Sequence, residues 1–250
     1  MQLDHLPVNF YLIAFVFFAT LCSYNFHYLL GYFSAHRNIS ISLLYNRYTA
    51  LLVLLAGGIG VLLFFSAAHI RFQNVVLAFL LTFLYSLPLL PLKRLAFVRK
   101  AGFLKTILLA FTWMFVTAYL PLSQNNAAFT VTGLLIMAKR FLFMLMLCIL
   151  FDNRDVKVDK IRGLSSLATD LSPHVMKWLI FGVFAMLFLI NFLLGGHGVS
   201  GRQVFALQLS AIINVVIYFL SKKEQGYFFY YFVVDGMMVL MTLLTTIASI

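Results

Sequence analysis

"FLFMLMLCILFDNRDVKVDKIRG", residues 141–163, joins eleven uncharged, almost wholly apolar residues to a segment in which six of nine positions carry charge. Those six are Asp152, Arg154, Asp155, Lys157, Asp159 and Lys160, and they include three of only seven acids in the chain. Such a boundary reads as a helix leaving the hydrocarbon of a bilayer and meeting water.

Composition supports that reading. The 250 residues are 63% hydrophobic and 10% charged, with mean hydropathy +1.00. A soluble domain runs near half apolar and a quarter charged, so this is an integral membrane protein in contact with the lipid bilayer. The 28 Phe and 12 Tyr suit lipid and interfacial surfaces. The net charge of +11 does not point to nucleic acid, because the basic residues sit in short connections between apolar runs. Cys22 and Cys148 fall inside apolar runs and read as buried thiols. The first apolar run lacks a basic leader and is too long for a cleaved signal, so it reads as the first span.

Apolar stretches long enough to span occur at roughly 8–31, 46–66, 74–92, 104–121, 128–151, 175–194, 203–220 and 227–248. The expected fold is all-α: a polytopic membrane bundle of about eight transmembrane helices forming a single integral-membrane domain, 1–250. Pro88 and Pro91 end the third run. "PLSQNNAA" (121–128) and "GGHGVSG" (195–201) read as polar turns, and the second lacks the Lys-Ser/Thr ending of a phosphate-binding loop.

Fourteen of the 18 Lys and Arg residues lie in or beside the connections 32–45, 92–105, 152–174 and 221–226. By the positive-inside rule these connections face the cytoplasm and both termini lie outside.

On a helix, Asp152, Asp155 and Asp159 occupy an arc of about 60° and span roughly 10 Å. Carboxylates so arranged repel unless they share a cation, and magnesium suits oxygen ligands and completes its shell with substrate phosphate. Arg154, Lys157 and Lys160 would suit further phosphate oxygens. The alternative is a solvated loop whose acids and bases pair with one another. Spacing alone leaves both open.

"FDNRDVKVDKIRGLSSLA" (151–168) resembles the second aspartate-rich motif of the UbiA-type intramembrane prenyltransferases. That pattern is Asp-x-x-Asp-x-x-x-Asp with a basic-Gly-x-x-(Ser/Thr)-Leu tail. Asp152, Asp155 and Asp159 match its acids, Arg154 its usual arginine, and Gly163, Ser166 and Leu167 its tail. Upstream, "YSLPLLPLKRLAFVRK" (85–100) resembles the family's Tyr-Ser-x-Pro stretch and the basic segment after it.

The resemblance implies a UbiA-like bundle in which Asp152, Asp155 and Asp159 bind Mg2+ as the catalytic and metal-holding acids. It implies an isoprenoid diphosphate as donor and a lipophilic, aromatic or similar acceptor. Asn25, Tyr85, Ser86, Lys93, Arg94 and Arg154 would then approach the diphosphate, where Lys and Arg neutralise the leaving group's charge. It also implies a bacterial inner-membrane location with a cytoplasmic mouth.

The first aspartate-rich motif departs from the family. In "CSYNFHYLLGYF" (22–33) Asn25 fits, but Phe26, Leu29 and Phe33 stand where acids are expected. One alternative is therefore a catalytically idle homologue that binds a lipid or a partner protein. Another is a transporter in which Asp235, inside the last span, is the coupling group. Lys139 and Arg140, inside the fifth run, are expected to pair with Asp235 or to snorkel to the outer face.

Overall fold

The computed structural model describes residues 8–34, 41–87, 102–162, 165–222, 225–226 and 228–249. All secondary structure among them is helical, and seven helical segments are long and apolar enough to cross a membrane. The protein is a polytopic helical membrane bundle. By contacts the chain divides into two compact units, residues 8–99 and residues 1–7 with 100–250.

In the smaller unit, α1 (Phe10–Ser34) packs along α2 (Ile41–Ala67). Gly57 and Gly60 of α2 make the close approach possible. A Cβ on Gly57 would come 2.7 Å from the Cys22 sulfur, and one on Gly60 would overlap the Phe18 ring. Small residues at a membrane helix contact let dispersion act over a long seam, where lipid leaves no hydrophobic driving force between helices. His69, with φ 51, turns the chain into α3 (Phe72–Ser86). At 15 residues α3 is shorter than the third expected span, and positions 88–92 of that span lie outside the described residues.

The larger unit begins with α4 (Gly102–Met114), which passes through a π-helical turn (Phe115–Tyr119) into α5 (Leu120–Gln124). The three form one span, three residues longer at its far end than hydropathy indicates. Asn126, with φ 55, reverses the chain. Next comes α6 (Val131–Arg162), 32 residues long. All of Leu142–Leu150 is buried, so the middle of α6 is enclosed on every side. Its neighbours are α4, the π-helical turn, the short α7 (Leu167–Asp170), α8 (Pro173–Gly195) and α9 (Gly201–Leu220). A second π-helical turn (Phe229–Val234) leads into α10 (Asp235–Ile247), which packs on α9.

The starts of α8 and α9 are written locally. Ser172 Oγ accepts from the Val175 amide at 3.3 Å with Pro173 in the first turn, and Ser200 with Gln203 forms a reciprocal cap. Between them Gly198 sits at φ +93, a conformation glycine adopts without steric penalty.

The expected loop 152–174 is corrected here. α6 continues as helix through Arg162, because the charges mark a change of surroundings and do not break a helix. Asp152 and Asp159 are buried, at 8% and 5% exposure, which rules out a purely solvated segment.

Candidate functional site

Asp152 and Asp159 lie seven residues apart, about two turns, and so share one side of α6. That side meets α4. Thr106 Oγ1 donates to Asp152 Oδ2 at 2.6 Å, and Lys105 Nζ stands 3.9 Å from Asp159 Oδ2. The backbone amide of Leu167, at the start of α7, lies near Asp152. The α6–α7 connection is thereby held down: Ser166 is fully buried, and its amide donates to Thr169 Oγ1 at 2.7 Å. Gly102 admits this close approach, since any Cβ there would overlap the backbone of Ser165 and Ser166.

Asp155 stands apart from that pair and is engaged by its neighbour. Arg154 Nε donates to Asp155 Oδ1 at 2.7 Å and Nη2 to Oδ2 at 2.9 Å, a two-pronged contact. The same guanidinium lies over three rings, 5.0 Å from the centroid of Phe151, 5.6 Å from Tyr230 and 5.2 Å from Tyr231. Its remaining nitrogen, Nη1, is buried with no hydrogen-bond partner. Asp235 is partly buried, and Arg154 acts on it electrostatically.

The arrangement bears on magnesium. Among the described residues no three His, Cys, Asp or Glu side chains gather where they could hold a metal ion. Asp152 and Asp159 provide two carboxylates, the number a magnesium–phosphate site commonly takes from a protein. Asp155 does not join them while Arg154 holds it.

In the smaller unit two of the expected residues come together on a third. The His27 ring stacks on Tyr85 at 4.6 Å between centroids, and its Nε2 lies 3.3 Å from Ser86 Oγ. Ser86 Oγ donates to the Thr82 carbonyl at 2.6 Å, and His27 Nδ1 lies 3.2 Å from the Ser23 carbonyl. Asn25 turns its amide to its own helix, donating to the Leu21 carbonyl at 2.8 Å. Leu29, where the family has an acid, is 6% exposed and belongs to the packing. Lys93 and Arg94 lie outside the described residues, and so do Gly163 and the side chains of Phe33 and Lys157.

Sequence reasoning missed Lys105, Thr106, Tyr230 and Tyr231. Lys105 counted only as a topology marker, and Thr106 lies 46 residues from its partner Asp152 with no local signal. The aromatic run "YFFYYF" (227–232) was the available hint for the rings around Arg154. Lys139 and Arg140 do not pair as expected: Lys139 is buried at 3% exposure, and neither residue takes part in a hydrogen bond or ion pair among the described residues.

No family model, curated protein or solved structure matches this chain.

Proposed function

We propose that the protein transfers an isoprenyl group from an isoprenoid diphosphate to a lipophilic acceptor, as a divergent relative of the UbiA-type prenyltransferases. The observation that supports this most is the Arg154 guanidinium, with a buried Nη1 that meets no acceptor in hydrogen-bonding geometry, the Tyr231 hydroxyl near it and three aromatic rings around it. A donor so placed suits a phosphate oxygen, and the rings suit the isoprenoid chain or the cation that forms when diphosphate leaves. Asp152 and Asp159, beside Lys105, are the carboxylates to which we assign magnesium, which would supply positive charge to the departing diphosphate. Lys93, Arg94, Tyr85 and Ser86 belong to the same reading through the resemblance alone. The basic asymmetry supports a cytoplasmic mouth, and a bacterial inner membrane belongs to the reading through the resemblance alone.

The test is calorimetric. Wild type should bind a non-hydrolysable isoprenyl diphosphate in the presence of magnesium. Arg154→Gln should weaken that binding by roughly 10- to 150-fold, the effect of one charge-assisted hydrogen bond to an anion. No binding by the folded wild type would overturn the proposal.

A second reading draws on the Arg154–Asp155 contact. With Asp155 satisfied internally and the first motif lacking acids, a catalytically idle homologue that binds a lipid or partner is the competing assignment. It predicts ligand binding without diphosphate release across a broad panel of donors and acceptors.

A further inference from the structure

Lys139 and Arg140 are adjacent cations about 12–14 Å from the start of α6, well inside a membrane-spanning segment. One turn to either side the helix carries Leu135, Ile136, Leu142 and Phe143. Asp152 and Asp159, toward the far end of α6, are about 20 Å and about 30 Å away along the helix axis. Lys139 is 3% exposed, so protein encloses nearly all of its length, and Arg140 is partly buried. Neither has a hydrogen-bond or ion-pair partner among the described residues.

Two neighbouring positive charges in an apolar interior without a counter-charge are among the costlier arrangements a membrane protein can hold, and they mark sites of function. A second observation lies on the neighbouring span. The π-helical turn Phe115–Tyr119 packs against α6. Counting back from Gln124, it lies about 7–13 Å from the end of its span, the depth of Lys139 and Arg140 counted from the same end of the bundle. π-Helical turns widen a helix locally and recur at functional sites.

We propose that Lys139 and Arg140 form a binding site, inside the membrane part of the larger unit, for the anionic head of a membrane amphiphile. The head is a phosphate or carboxylate. Side chains about 100° apart on the helix reach one such group from two sides. The site takes an amphiphile because the flanking residues that keep exposed surface, Leu134, Leu135 and Ile136, are apolar: a tail buries against them, while a free anion would give up its hydration for two contacts alone. This site is separate from the Arg154 cluster and stands whether or not the protein transfers prenyl groups.

Native mass spectrometry and thermal unfolding of the full chain test it. Wild type is exchanged into phosphatidylcholine vesicles with or without 20 mole per cent phosphatidylglycerol, or into phosphatidylcholine with inorganic phosphate. Retention of phosphatidylglycerol over phosphatidylcholine and a raised Tm are expected, with inorganic phosphate unable to compete. The double variant Lys139→Met with Arg140→Gln should lose at least tenfold in phosphatidylglycerol affinity. Arg202→Gln, which removes an exposed cation at the start of α9, should lose nothing. Competition by inorganic phosphate would overturn the amphiphile assignment. Equal retention of both lipids by wild type, which needs no variant to fold, would overturn the site.

Discussion

Thr106 Oγ1 donates to Asp152 Oδ2 at 2.6 Å, and this contact fastens α4 to the charged end of α6 across 46 residues of sequence. Both residues are buried, so no water can replace the bond at once if it is lost.

Thr106→Val keeps the shape and removes the donor. It should lower stability by about 1–3 kcal/mol, the effect of leaving a buried acceptor without its partner. Thr106→Ser should retain most of the stability. Thermal unfolding of the three proteins in one detergent checks the order, and an unchanged midpoint for Thr106→Val would mean Asp152 is held by other groups.

Gly102→Ala should destabilise by about 1–3 kcal/mol through overpacking, because the added methyl group meets the backbone of Ser165 and Ser166, which cannot rotate aside. The same substitution at Gly182, where an added Cβ meets nothing within 4 Å, should be harmless. Melting temperatures of the two variants make the comparison.

Asp155→Ala should leave the folded yield intact and shift stability by less than ~1 kcal/mol, since the Asp155 side chain is 39% exposed and its ion pair is screened. Under the prenyl-transfer proposal, in which Asp152 and Asp159 hold the magnesium, the same variant should lower diphosphate release because Arg154 loses the partner that positions it. Activity equal to wild type would remove Asp155 from the site.

The positive-inside rule predicts the orientation, and labelling checks it. Cysteines at positions 98 and 160 should react with an impermeant thiol reagent only from the cytoplasm, and one at 125 only from outside. The reverse pattern would invert the placement of the Arg154 cluster.

Much of the helical architecture was legible because the apolar runs that define spans are local. The run at 175–194 became Pro173–Gly195 and the run at 203–220 became Gly201–Leu220, with serine caps marking both starts. The continuation of α6 to Arg162 was hidden, because charge signals the edge of the bilayer while helix ends are signalled by caps and breakers. The π-helical turns at Phe115–Tyr119 and Phe229–Val234 did not stand out, since their aromatic and β-branched residues, weaker helix formers, are common throughout the apolar runs. Within the site, the spacing of Asp152 and Asp159 foretold a shared side of the helix. Their partners on α4 come from packing, which no local pattern encodes. The commitment of Asp155 to Arg154 separates it from an arc that spacing had made look continuous.

α6 has a further mechanical consequence. It is one unbroken helix about 48 Å long, against a hydrocarbon layer of about 30 Å. Its middle, Leu142–Leu150, is enclosed on every side and so is held in place. The excess of about 18 Å is taken up by tilt or by helix standing clear of the hydrocarbon, and the charged end from Asp152 onward is the part suited to do so.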